Sequence, residues 1–265
     1  MKQASPLALL CAVTIAWVPC SIRAEEVGPE HFGPKDVLTD AGLYFTAPLR
    51  WDVRDWMYFA SAAAVVAGSH QLDRRARDHF AGPNAVLDGK DKHSLRDAIP
   101  AAAATVSTWA FASLSGSDSG RNEAYTMLEA AGFSAITTEA LKYAAGRRRP
   151  NETTRIDDWR AGGSSFPSLH ASAAFAIGTV LAESGPDDFR WLRRIVGYGL
   201  GAGTAYLRVH DNAHWLSDTA ASAAIGISTG AFVVNRHDAR ARNVDISVSP
   251  ATGGGVMISV AANLD

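Results

Sequence analysis

A chain of 265 residues allows one well-packed domain or at most two small ones. With 47% hydrophobic and 20% charged residues it is neither disordered nor highly charged. A formal net charge of −2 gives it no electrostatic footprint for nucleic acid, and a mean hydropathy of −0.02 is that of a soluble protein.

Met1-Lys2 opens the chain with a short basic start, followed by the apolar run Leu7 to Val18 and then CSIRAEE. The run is too short to span a bilayer and reads as a secretory signal peptide, residues 1–24, cut after Ala24. The protein is therefore expected to be exported, to the periplasm or cell envelope. A lipid anchor on Cys20 fits less well, because Val18-Pro19 is a poor match before it. Cys11 and Cys20, the two cysteines of the chain, both lie in this segment. The mature protein then has neither a disulfide framework nor a catalytic thiol.

Residues 25–55 form a proline-bearing N-terminal extension, read as loop with one or two short helical turns. Six stretches rich in Ala, Gly, Ser and Thr follow: Trp56–Leu72, Ala98–Ser117, Ala124–Ala145, His170–Glu183, Arg193–Tyr206 and Leu216–Asn235. Each is long enough for a helix, and charged or breaker-rich joints such as DRRARDHFAGPN and GRRRPNE separate them. The expectation is an all-α six-helix bundle over residues 56–240. Ala98–Ser117 is long enough to span a membrane but carries Pro100 and several hydroxyls, and Glu129 and Glu139 interrupt the next stretch. A soluble bundle, or one resting on a membrane surface, is favoured over an embedded one. Residues 241–265 alternate apolar and polar side chains around Pro250 to Gly255, which predicts a short β-hairpin-like tail.

The candidate chemistry begins in LRVHDNAHWLSD. His214 and Asp218 are four apart and would share a helix face, where the carboxylate could accept the Nδ1–H and leave Nε2 a free lone pair. Alone, such a pair also occurs as an ordinary surface contact. In FPSLH, Ser168 is a good helix N-cap and His170 falls in the first turn, where free amides bind anions. In LKYAAGRRRP, Lys142 and Arg149 stand seven apart near a helix end. A solvated basic terminus would look the same. Together with Arg208 these stretches supply three cations, two histidines, one carboxylate and a helix N-terminus. A phosphoryl group in transfer needs such a set. A zinc ladder of His210, His214 and Asp218 is the rival grouping, but three nearby cations oppose a dication. No metal and no cofactor are expected. Arg155, Trp159 and Arg160, in the loop expected over the pocket, could touch an anionic headgroup but read rather as ordinary surface residues.

The pattern is Lys-x6-Arg-Pro from Lys142 to Pro150, then Pro167-Ser168-Leu169-His170, then Arg208, His214 and Asp218. It resembles the three-part signature of the type 2 phosphatidic acid phosphatase and vanadium haloperoxidase superfamily, with Leu169 in place of glycine and Leu207 in place of serine. The resemblance implies a helical, metal-independent phosphatase. It gives His214 as the nucleophile forming a phosphohistidine, Asp218 as its orienting partner, and His170 as acid and then base. Lys142, Arg149, Arg208 and the amides near Ser168 and Leu169 would hold phosphate. Substrates would be a phosphomonoester or a diphosphate, carried by a lipid or by a small molecule, at or near a membrane. A vanadium-dependent haloperoxidase and a non-catalytic envelope phosphate-binding protein remain as alternatives.

Overall fold

The computed structural model describes residues 33–262, apart from 83, 84, 86, 92, 93, 186, 187 and 252–254. The signal-peptide reading, with Cys11 and Cys20, lies outside the described residues. Eight α-helices are found among them. These are α1 (Pro34–Phe45), α2 (Val53–His70), α3 (Asp73–Phe80), α4 (Ser94–Ser115), α5 (Asp118–Ala145), α6 (Leu169–Glu183), α7 (Arg190–His210) and α8 (Leu216–Asn243). A 3₁₀ turn, Ala47–Arg50, joins α1 to α2. After α8, strands β1 (Val244–Ala251) and β2 (Gly255–Ala262) pair antiparallel, with Val244 opposite Ala262.

The fold is all-α, but six helices is a correction upward to eight. The six apolar stretches coincide with α2 and α4 to α8. The two extra helices lack an apolar stretch. Helix α1 is started by Pro34, and the Asp36 carboxylate accepts the Gly33 amide at 3.0 Å. Helix α3 is the charged segment DRRARDHF, whose composition reads as a joint. Its inward face, Asp73, Ala76 and Arg77, is nonetheless buried, because the charges are consumed by partners in the bundle.

Helix α6 is apolar on every side and sits at the centre, packed against α5, α7 and α8. Small residues set the spacing. A Cβ on Gly178 of α6 would lie 2.1 Å from the Gly197 carbonyl of α7, so the two backbones touch there. Helix α1 is tied to the bundle by Tyr44, whose hydroxyl meets Thr229 at 2.7 Å, and by Asp40, which pairs with Arg236 at 2.9 Å. Helix α4 differs from the core helices. Leu95, Ile99, Val106, Phe111 and Leu114 are all exposed, and it is the one described helix long and apolar enough to cross a membrane.

The helix crossing yields a test. Gly178→Ala should lower stability by about 1–3 kcal/mol through overpacking against α7. Gly199→Ala, where an added Cβ meets nothing within 4 Å, should leave stability unchanged or slightly raised. Paired thermal melts check this, and equal melting temperatures would contradict it.

Candidate active site

The site is assembled at one end of the bundle by three chain reversals. The first follows α5. Gly146 ends that helix in the left-handed conformation (φ 53°), which a glycine adopts without strain, and its amide closes on the Lys142 carbonyl. Helix α5 therefore stops before Arg149, so Lys142 and Arg149 do not share one helix face. The turn brings them to the same place instead. Residues 146–148 then pair with 158–165 through Arg148 N to Asp158 O (3.0 Å) and Ser165 N to Arg147 O (2.9 Å).

The second reversal leads into α6. Ser168 caps the helix, its hydroxyl reaching the Ala171 amide at 3.5 Å. Its own amide is donated to Ser222 Oγ at 2.8 Å, which corrects its expected place as a phosphate donor. The first-turn amides left for an anion are those of Leu169 and His170. Leu169 takes an ordinary helical backbone. Among the described non-glycine residues only Arg160, Phe189 and Asn212 have positive φ.

The third reversal joins α7 to α8. Asn212 turns the chain at φ 57°, and the amides of Ala213 and His214 both donate to Arg208 O at 3.1 Å. Helix α8 starts only at Leu216, so His214 lies in the turn before it, a correction to the shared helical face. The reason is Asp218, whose Oδ2 accepts the Trp215 amide at 2.9 Å and so begins the helix there. His214 Nδ1 instead meets the Ser165 carbonyl at 2.7 Å and stands 3.5 Å from Asp218 Oδ2. A carbonyl can only accept, so the proton is on Nδ1 and Nε2 carries the lone pair.

Asp218 is held from all sides. It accepts hydrogen bonds from the Ser165 hydroxyl and from Arg147 Nη1, the latter at 2.6 Å. Arg147 is fully buried, and its Nη2 donates to Asp73 Oδ2 at 2.7 Å. Asp73 also accepts the Ser217 amide and hydroxyl, at 2.8 and 2.7 Å. Trp159 and Trp215 flank the guanidinium, their ring centres 4.5 and 5.3 Å from Cζ.

The cations stand around the histidines. Arg208 is buried and donates to Asp97 Oδ2 at 2.9 Å and Asp91 Oδ1 at 3.0 Å. Arg149 donates to Asp91 Oδ2 at 2.9 Å, and Lys142 to Glu139 at 2.8 Å. His170 Nε2 meets Ser94 Oγ at 3.1 Å. Burial and then the charge of Arg208 push the His170 pKa down. Burial, with Arg208 and Arg149 behind it, pushes His214 down to about 4 against the opposing pull of Asp218. For Asp218, burial works upward, but His214, Arg147 and Ser165 outweigh it and hold the carboxyl below its ordinary value. His214 is thus neutral and Asp218 ionised over the ordinary pH range.

The expected residues Lys142, Arg149, Leu169, His170, Arg208, His214 and Asp218 therefore gather at one place. His210 does not. It is half-exposed beside Asp211, and with His214 off the helix no zinc ladder forms. Arg155 pairs outward with Asp158, whereas Trp159 belongs to the Arg147 sandwich. The sequence reading passed over Arg147, Asp73, Ser165, Asp91, Ser94 and Asp97. Signals were present for some of them. GRRRP holds three arginines at the signature, and Asp91, Ser94 and Asp97 recur every third residue.

Residues 123–242 match the family model described as the PAP2 superfamily. A 91-residue stretch is 34% identical to a lipid A 1-phosphatase of Porphyromonas gingivalis, covering 34% of this chain and 18% of that protein. The chain thus spans less than a fifth of that curated relative's length. No solved structure matches the chain significantly.

Removing Arg147 leaves two buried carboxylates facing each other. Arg147→Ala should cost about 3–5 kcal/mol of stability, read by chemical denaturation. A loss below 1 kcal/mol would contradict the clamp.

Proposed function

Because residues 123–242 match the PAP2 superfamily model, we propose that the protein is a phosphoric ester hydrolase that acts without a metal ion through a phosphohistidine at His214. The observation that carries the reading is the neutral, Nδ1-protonated His214 set among Arg208, Arg149, His170 and the α6 N-terminus.

In this reading His214 Nε2 attacks phosphorus in line as the bond to the leaving oxygen breaks. Arg149, Arg208, Lys142 and the amides of Leu169 and His170 hold the three equatorial oxygens. His170 gives its proton to the leaving oxygen. The His214 ring becomes positive on bonding phosphorus, and the Asp218 carboxylate at 3.5 Å stabilises that charge. Neutral His170 then takes a proton from water, which attacks the phosphohistidine, releases phosphate and leaves His170 protonated and His214 neutral as at the start.

The substrate we infer is a lipid phosphate met at a membrane surface. Helix α4 supports this. Its first turn holds Asp97 against Arg208, and its exposed apolar side chains continue away from the site. The lipid A 1-phosphatase likeness points to the same class of substrate. Residues 1–24 fit as an export signal and 56–240 as the catalytic domain.

The test is phosphate release in EDTA from para-nitrophenyl phosphate, phosphatidate, a polyprenyl diphosphate and lipid A. Turnover should survive EDTA, favour the lipids in mixed micelles, and fall by about 10³-fold or more in His214→Ala. Loss of turnover on chelation, or activity retained in the variant, would overturn the reading. The pH profile is a second check. His214 must be neutral, which fails as pH falls towards about 4. His170 must be protonated, which fails as pH rises through a value below the ordinary ~6.5. The profile of kcat/KM should therefore be a bell with an acidic optimum, and a flat profile from pH 4 to 8 would contradict these assignments.

A further inference from the structure

Each of the three cations assigned to phosphate already meets a carboxylate, and two of them share one. Asp91 bridges them, with Oδ2 on Arg149 Nη1 and both carboxylate oxygens on Arg208, through Nη1 and Nη2. Two parallel contacts to one guanidinium are how a phosphate would bind it as well. The other acids behave differently. Asp97 is fully buried and shared with Arg96, so it is a fixed counter-charge, whereas Glu139 is largely exposed beside Lys142. Asp91 is partly open to solvent, at 19% side-chain exposure.

The placement of Asp91 is built into the backbone. The Gly89 amide donates to the Asn151 carbonyl at 3.0 Å, and Asn151 Nδ2 returns a bond to the Lys90 carbonyl at 3.1 Å. Asn151 is two residues beyond Arg149, so the chain before Asp91 is fastened to the chain that carries one of its cations. Meanwhile the buried Nε atoms of Arg149 and Arg208 have no acceptor among the described residues. Two donors therefore remain that Asp91 does not satisfy.

We propose that Asp91 is an internal occupant of the phosphate cradle, displaced from Arg149 and Arg208 when substrate binds, and thereby a specificity-determining residue. The inference rests on the phosphate-binding reading of this site. A carboxylate carries one charge and two oxygens. A terminal phosphate dianion brings two charges and three oxygens, enough to win the exchange and to reach the unsatisfied Nε donors. A phosphodiester brings one charge and two free oxygens, so it gains little by displacing Asp91. Asp91 thus selects terminal phosphates and rejects diesters. Protonation does not relieve the competition at ordinary pH. Burial pushes the Asp91 carboxyl up, but Arg208 and then Arg149 overcome this and hold it at about 2.

The test uses the full chain carrying His214→Ala, so that binding is read without turnover. Inorganic phosphate and dimethyl phosphate are titrated calorimetrically at pH 8, with and without Asp91→Asn. Asparagine keeps the shape and removes the charge. Phosphate should bind about tenfold or more tightly once Asp91 is neutral, the scale of one lost charge-assisted contact. Dimethyl phosphate should change from undetectable to measurable binding. Unchanged or weaker phosphate binding, with phosphate still bound by the parent, would overturn the proposal and leave Asp91 as a group that orients the two arginines. No phosphate binding in either form would overturn the phosphate-site reading itself. Asp91→Ala, with helical content checked by circular dichroism, guards against an effect peculiar to asparagine.

Discussion

The Arg147 guanidinium, buried between Asp73 and Asp218, is the contact on which the site depends. It joins three parts of the chain that are remote in sequence: the start of α3, the turn after α5 and the first turn of α8. Two carboxylates and a guanidinium are costly to bury, and the cost is offset only because nearly every lone pair has a donor. Ser217, Ser165 and the Trp215 amide supply those donors. The consequence reaches His214. With Asp218 fixed as the acceptor that starts α8, the imidazole is left in the preceding turn, against the Ser165 carbonyl, in one tautomer.

Around that fixed centre the charges are arranged in layers. Arg147 neutralises the inner carboxylates and is itself enclosed by Trp159 and Trp215, so it does not compete for substrate. Arg149 and Arg208 form the outer layer and act on the ring of His214, which they help keep neutral. A neutral imidazole has a lone pair to donate, and in the proposed mechanism the same cations hold the oxygens of the group it attacks. Under that proposal the cations favour the nucleophile's reactive form and also balance the substrate's charge. Asp91 and Asp97, from outside the family-matched region, are carboxylates that balance those cations.

Much of this was legible in the sequence because the chemistry is concentrated in three short segments. The spacing of Lys142, Arg149, His170, Arg208, His214 and Asp218 groups residues that the fold does bring together, and six apolar stretches mark six of the helices. What the spacing could not give was geometry set by tertiary contacts. His214 and Asp218 read as one helix face, because nothing local says that Asp218 will cap the helix at Leu216. Arg147 reads as one of three equivalent arginines, because its burial depends on Asp73, more than seventy residues away. Helix α3 reads as a joint, because periodicity detects apolar faces and its inward face holds two charged residues and one alanine. Asp91 is one acid among 27, and only the fold puts it on Arg149 and Arg208.

The central claim is that His214 becomes covalently phosphorylated during turnover. The most direct measurement is to quench the enzyme in base within its first turnovers and map phosphorylated peptides by mass spectrometry. His170→Gln serves beside the wild type with para-nitrophenyl phosphate, whose leaving group departs without a proton, so that the attack of water is the step slowed and the intermediate accumulates. The account predicts a base-stable, acid-labile phosphoryl group on His214, more abundant in the variant. A phosphoryl group on a different residue, or turnover with none while phosphorus inverts its configuration, would contradict it.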